Sequence, residues 1–437
     1  MTTTYDPKHS SYLDEADVRN EMTRVFDICN GCRLCVELCP SFPSLFELVD
    51  GFDDHDAGRL TPAEQDGVVD KCFQCKLCYV RCPYTPGAHE WAIDFPRLML
   101  RVDAMRVARN QVSMRGRMAT KAMARTDAVG RLGSATAPIA NKLIGGRQGS
   151  LMRKAVASFT GVSAVRVLPP FAKQRFSTWF RKRTVVVAER RHGKVIVYPT
   201  CLVEYQATAI GKDLVRVYER NGIECSLTDA GCCGAPWLHA GDVDRFTKVA
   251  KRNVKTLAAA LRTRGDVDGD IVVPQPTCSY VLKQDYVDYV GGDDAALVAA
   301  HTYDAAEYLM MRHRAEDMQI DTDFAGTVPE NVTYHAACHQ RAQNIERGSR
   351  DLLELMGANV ATVQQCSGID GMWGLRAGNE PLSIPIARKL GAEIDGAGNA
   401  VVAGDCHLAN TAIAEETAKV PVHPVQVLAR AYGLEEG

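Results

Sequence analysis

Between Cys29 and Cys82 the sequence sets eight cysteines in two copies of one pattern. The first copy reads Cys29-x-x-Cys32-x-x-Cys35-x-x-x-Cys39-Pro40, the second Cys72-x-x-Cys75-x-x-Cys78-x-x-x-Cys82-Pro83. Three thiolates three residues apart can wrap one face of a cubane cluster, because each turn of the loop returns its sulfur to the same pole. Where two such runs stand together, the cysteine before proline ligates the other cluster. The spacing therefore predicts two [4Fe–4S] clusters. One is expected on Cys29, Cys32, Cys35 and Cys82, the second on Cys72, Cys75, Cys78 and Cys39. Zinc also takes Cys-x-x-Cys pairs, but four ligands from two pairs would leave the third cysteine and the Cys-Pro of each run unexplained. Disulfides fit less well, since nothing marks a secreted chain.

A second set of cysteines follows short apolar runs. Val195–Tyr198 leads to Cys201, Ile223–Leu227 to Gly231-Cys232-Cys233-Gly234, and Ile271–Val273 to Cys278. Neighbouring cysteines cannot both face one point on an extended strand, so Gly231 and Gly234 must let the backbone kink around Cys232 and Cys233. Four thiolates gathered at one sheet edge predict a metal centre. After residue 330 the same order returns with Cys338, Cys366 and Cys406, and Ser367 takes the place of the second adjacent cysteine. His335, His339, Ser367 or His407 could supply a fourth ligand or orient the others. Each histidine by itself reads more readily as a hydrogen-bonded structural residue than as a ligand. Cys225 has no counterpart in the repeat and reads as core.

These residues need elements to hold them. Residues 1–96 read as a helical two-cluster unit. Leu98, Val102, Met105, Ala108 and Val112 share one face of the helix that follows, a core-packing stripe. Residues 97–192 form a basic helical segment, interrupted by glycines and without chemistry of its own. From Lys194 strands and helices alternate, with helices over about 204–220 and 242–264. The order recurs at a spacing of about 130 residues, with helices up to Met356 and over 380–391. Two parallel-sheet α/β domains, 193–325 and 326–437, are expected, each with its cysteines at strand C-terminal ends, where open α/β sheets place ligands.

Composition narrows the function. The formal net charge of −2 conceals about +18 between Arg97 and His192, where twenty-one Lys/Arg face Asp103, Asp127 and Glu189. Such a stretch is expected to meet an anionic surface, whether partner protein, membrane or nucleic acid. Within it Phe176, Trp179 and Phe180 share a helical face flanked by Lys173, Arg181, Lys182 and Arg183. That pattern suits an interfacial helix on a membrane, and equally a helix docked on its own domain with a solvated rim. No eighteen-residue apolar run and no signal peptide are visible, so a cytoplasmic chain, at most peripheral on the membrane's inner face, is expected. Neither Gly-x-Gly-x-x-Gly nor a Walker A motif occurs, which leaves no nucleotide or flavin fingerprint. Several redox centres without substrate machinery read as a relay.

The two halves resemble the cysteine-rich CCG domains of heterodisulfide reductases and of quinone-linked oxidoreductase subunits. The order of parts is similar to the C-subunit family of anaerobic glycerol-3-phosphate dehydrogenases. The motifs are Asp94–Leu100, Trp179-Phe-Arg-Lys, Cys232-Cys-Gly-Ala-Pro236, Tyr334-His-Ala-Ala-Cys-His339 and Gly404-Asp-Cys406. The resemblance implies an electron-transfer subunit, working between a flavoprotein dehydrogenase partner and membrane quinone. It also implies a further iron–sulfur or metal centre in the first CCG domain. A full CCG domain ends in Cys-x-x-Cys, whereas Val281 and Ala409 stand at those positions here. The alternative expectation is a disulfide reductase using the first CCG site. A nucleic-acid-binding role is not expected beside eight paired cysteines.

Overall fold

A computed structural model describes residues 5–185, 192–262, 269–315, 318–369 and 371–434. The last two residues of the helix expected over 242–264 lie outside the described residues, as do Glu189, Arg190 and Arg191 of the basic segment.

The N-terminal unit is helical. Helix Glu15–Cys32 starts where the Asp14 carboxylate accepts from Asp17 N–H, and it ends at Arg33 in left-handed conformation. Its inner face (Val18, Met22, Val25, Phe26) packs on Phe42, Leu45 and Val49 of helix Ser41–Asp50. A Thr61–Glu64 capping box opens helix Pro62–Val69, satisfying two backbone donors that the helix cannot. Helix Phe95–Ala108 closes the unit. Leu98, Val102 and Met105 are fully buried as expected. Ala108 is exposed, and Val112 falls beyond the helix end, because the chain turns at Asn110, a left-handed residue.

The basic segment folds into helices Met114–Ala124, Thr126–Ala135, Ala137–Ile144, Leu151–Thr160 and Phe176–Lys182. The last of these settles the two readings of its aromatic face. Phe176 is fully buried, Phe180 nearly so, and Trp179 packs partly buried against the same core. The Arg183 guanidinium lies 3.6 Å from the Phe180 ring centroid, while Lys212 and Arg216 cover Trp179. The aromatic face is therefore turned onto the protein's own core, with Trp179 alone partly exposed.

Two parallel sheets follow. The strands are β1 (Lys194–Val197), β2 (Glu224–Leu227), β3 (Gly269–Val273), β4 (Thr302–Asp304), β5 (Asn331–His335), β6 (Asn359–Val363) and β7 (Val401–Gly404). The first sheet runs β2-β1-β3-β4 and the second β6-β5-β7. Each half thus places its second strand, first strand and third strand side by side, and the expected repeat is visible in the topology. The three-residue β4 was too short to be read from sequence. The helices expected over 204–220 and up to Met356 both break, into Thr200–Tyr205 and Thr208–Arg220 and into Cys338–Gln343 and Glu346–Leu355. In the second case Asn344 sits in the left-handed region at the break. The halves are not separate beads. Val197, Leu214 and Tyr308 of the first share one apolar cluster with Tyr334, Leu353 and Leu428 of the second.

Candidate metal centres

The two N-terminal runs bend as cluster loops must. Arg33, Gln74 and Lys76, each lying between cysteines, have φ of 52°, 60° and 65°. Each left-handed residue reverses the chain and brings the next sulfur back. Cys29, Cys32, Cys35 and Cys82 line one small cavity walled by Phe42, Phe46 and Ile93. Burial, then the nearby Cys35, Cys82 and Cys32, pushes the Cys29 thiol far above its ordinary range. Burial, then Cys82 and Cys32, lifts Cys35 to about 12. In the second run, burial followed by Cys75, Cys39 and Cys72 raises Cys78. Cys72 is pushed up to about 12 by burial and Cys39. Each Cys-Pro cysteine therefore lies among the thiols of the other run. Crowded buried thiols ionise only against a compensating positive charge, which a bound metal supplies. Gln74 Nε2 donates to Cys72 Sγ at 3.5 Å, and the buried Lys76 donates to Gln74 Oε1 at 2.6 Å.

In the first repeat, Cys201, Cys232/Cys233 and Cys278 follow β1, β2 and β3, three adjacent strands. Cys233 and Cys278 sulfurs are 3.3 Å apart. Hydrogen bonds from Cys201 and Cys233 hold the Cys232 thiol well below its usual range. The hydrogen bond to Cys232, then burial, drives Cys201 the other way. Gly234 N–H points at Cys232 Sγ, 3.5 Å away. Gly234 makes the kink at φ +90°, whereas Gly231 is needed for space: a Cβ there would lie 2.7 Å from Asp127 Oδ2. Thr200, immediately before Cys201, has φ +64°, a costly conformation for a β-branched residue and one that gathers at functional sites.

Residues that sequence reasoning missed hold this turn. Asn253, fully buried, accepts from Gly231 N–H at 3.2 Å and donates to Cys232 O at 2.9 Å. Tyr286 OH donates to Cys233 O at 3.0 Å. Asp127 Oδ2 accepts from Cys232 N–H at 3.1 Å, so the basic segment does take part in the site. Its isolation among cations was the one signal in the sequence. Nothing comparable pointed to Asn253, which is one polar residue on a long amphipathic helix.

In the second repeat Cys338, Cys366 and Cys406 likewise follow adjacent strands. Gly368 N–H donates to Cys366 Sγ at 3.3 Å, reproducing the Gly234–Cys232 contact. Ser367 Oγ instead accepts from Ile369 N–H at 3.5 Å. His335 Nε2 is 3.0 Å from Gln365 O. His339 Nδ1 lies 3.3 Å from Thr277 Oγ1 of the first repeat and 3.6 Å from Cys338 Sγ. Burial lowers His339 to about 3 and His407 to about 4, so both are neutral at physiological pH. His407 meets the first repeat through its backbone, donating to Gln275 Oε1 at 3.1 Å. Cys225 sits in the core on β2.

A cavity of ≈ 650 Å³ joins these parts. Cys72 of the N-terminal unit, the four first-repeat cysteines and Cys406 all line it. Met123, Val129, Ile144 and Val156 of the basic segment's helices line it as well. Among the described residues no three Cys, His, Asp or Glu form a group closed around one metal ion. All-sulfur donor sets with N–H groups aimed at sulfur fit iron–sulfur clusters.

Fold and site together define a class: a Fer4-like iron–sulfur unit joined to paired cysteine-rich domains, in an oxidoreductase protein. The Cysteine-rich domain model (CCG) matches residues 195–283 and 332–412, and the Citrate utilization protein B Fer4-like domain matches 22–110. The C-subunit of anaerobic glycerol-3-phosphate dehydrogenase from Escherichia coli (strain K12) is 26% identical over 312 residues, covering 71% of this chain and 76% of that protein. Lactate utilization protein A of Geobacillus thermodenitrificans is 30% identical over 196 residues, 42% of this chain and 76% of its own. The same protein of Geobacillus kaustophilus is 28% identical over 225 residues, 49% and 87% respectively. The chain belongs to this CCG-domain iron–sulfur family. Among the described residues no helix is long and apolar enough to cross a membrane.

Proposed function

We propose that this protein relays electrons from a flavoprotein dehydrogenase partner to a membrane quinone. The serial placement of the cysteine sites carries this reading. The charge of the Cys35 thiol is felt at Cys78, so the two N-terminal sites adjoin. Cys72 then shares a cavity with the first-repeat cysteines. Two [4Fe–4S] clusters on Cys29/Cys32/Cys35/Cys82 and on Cys72/Cys75/Cys78/Cys39 would lead to a third centre on Cys201, Cys232, Cys233 and Cys278. When bound, such clusters supply one-electron carriers. The chain's own part is to hold their thiolates, donate hydrogen bonds to sulfur and exclude water. Cys338, Cys366 and Cys406, with His335, His339, Ser367 or His407 as helpers, make a weaker or different second-repeat centre.

The membrane contact falls on helices 114–160 rather than on the aromatic helix. Met114, Leu132, Ile139, Leu151 and Phe159 are 72%, 68%, 66%, 86% and 75% exposed. Arg115, Arg117, Lys121, Arg131 and Lys154 are exposed among them, and Asp127, the one acid between residues 113 and 160, is half-buried. Apolar side chains edged with cations suit an anionic bilayer surface. The test is anaerobic: protein reduced through its co-purifying flavoprotein is mixed with anionic vesicles carrying quinone. Reoxidation that slows as salt rises is expected. No reoxidation by quinone, with rapid reoxidation by a small organic disulfide, would replace this function with disulfide reduction.

A further inference from the structure

The ≈ 650 Å³ cavity has the size of an organic-ligand site. Most of its wall away from the cysteines is apolar, built from Met123, Val129, Ile144, Val156, Leu168 and Phe171. Three polar side chains also enter the wall: His239, Gln275 and Arg376. His239 Nε2, Gln275 Nε2 and Arg376 Nε are all buried and find no hydrogen-bond partner among the described residues. Buried polar atoms are ordinarily paired, and an unpaired one costs about 1–3 kcal/mol. Three at one cavity point to a missing ligand.

The chemistry of that ligand follows from the atoms. The Gln275 amide is oriented, because its oxygen accepts from His407 N–H at 3.1 Å. Its nitrogen can therefore only donate, and Arg376 Nε can only donate. The ligand must bring strong acceptors to these side chains and an apolar body to the rest of the wall. A disulfide does not match, since divalent sulfur accepts weakly. A quinone does, with carbonyl oxygens on a flat ring and a hydrocarbon tail. Resting on the quinone-relay function, we propose that this cavity is the quinone site, with His239, Gln275 and Arg376 holding the carbonyl oxygens. The tail lies under helices Met114–Ala124 and Thr126–Ala135, whose outer sides carry exposed apolar residues.

The reaction balances simply. A quinone takes two electrons and two protons and becomes the quinol. Iron–sulfur centres held by the chain's cysteines would supply the electrons one at a time, and the protons come from water. Asp103 and Asp70 both line the cavity, and Arg106 pairs with each, Asp70 being the more exposed to solvent.

The test is calorimetric titration of the oxidised, full-length protein with 2-methyl-1,4-naphthoquinone under argon. Binding to the wild type is expected, weakened about tenfold or more by Gln275→Met or Arg376→Met, as loss of one hydrogen bond predicts. Met123→Trp fills the apolar part without touching the donors and should abolish binding. Iron content and visible spectrum should be unchanged in all three, and Met123→Trp carries the test should either polar variant lose iron. Wild-type affinity in the variants would overturn the proposal. So would absence of binding by a wild type that still passes electrons to quinone in vesicles, leaving the relay function standing. A reduced protein that no quinone reoxidises would remove that function as well.

Discussion

Phe176→Ala separates a buried helix from a membrane-inserted one. The Phe176 ring is fully buried, 5.7 Å from the Trp179 ring and 5.8 Å from that of Phe180. It lies directly over Gly211, where an added Cβ would approach its ring to 2.8 Å. Removing a phenylalanine from such a core costs about 3–5 kcal/mol, through lost burial and the cavity left behind. At about 2–4 °C per kcal/mol for a domain of this size, the melting midpoint should fall by about 6–20 °C. Circular dichroism melts under argon measure it, and flotation with anionic liposomes runs in parallel. Flotation should persist, because the exposed apolar residues lie on helices 114–160. A variant melting within about 2 °C of wild type but no longer floating would refute the reasoning and return the aromatic face to the bilayer.

Two further outcomes follow from the same structure. Cys82→Ser and Cys39→Ser should each remove a different cluster, lowering iron in the N-terminal unit from about eight to about four per chain. Electron paramagnetic resonance of the reduced proteins tells the two apart, and loss of the same signal from both would break the crossed ligation. Asp103, whose carboxyl burial holds up near 7, makes stability fall as pH rises. Between about pH 4 and 7 the folded carboxyl keeps a proton that the unfolded one has released, so the unfolded state binds fewer protons there. Asp103→Asn should flatten that part of the stability–pH profile, seen by urea unfolding at pH 5 and pH 8. An unchanged slope would mean that Asp103 is ionised in the folded protein throughout.

The cysteine spacing by itself determined which residues could bind clusters, and apolar runs ending in cysteine determined where the two sheets would present them. Both are local properties: a loop of three residues returns a sulfur, and a parallel strand delivers its turn to one edge. The glycine at 234 was legible for the same reason, since adjacent cysteines leave the backbone no other route. The fate of Phe176, Trp179 and Phe180 was not local. Helical spacing put them on one apolar face, and only the packing of Val203, Ile210 and Leu214 against it decided what covers that face. Nor could the sequence reveal that Asn253 clamps the Cys232 turn, or that His239, Gln275 and Arg376 meet at one cavity. Those residues lie on different elements and repeat no period, so their side chains converge only once the two sheets and the basic helices have closed on one another.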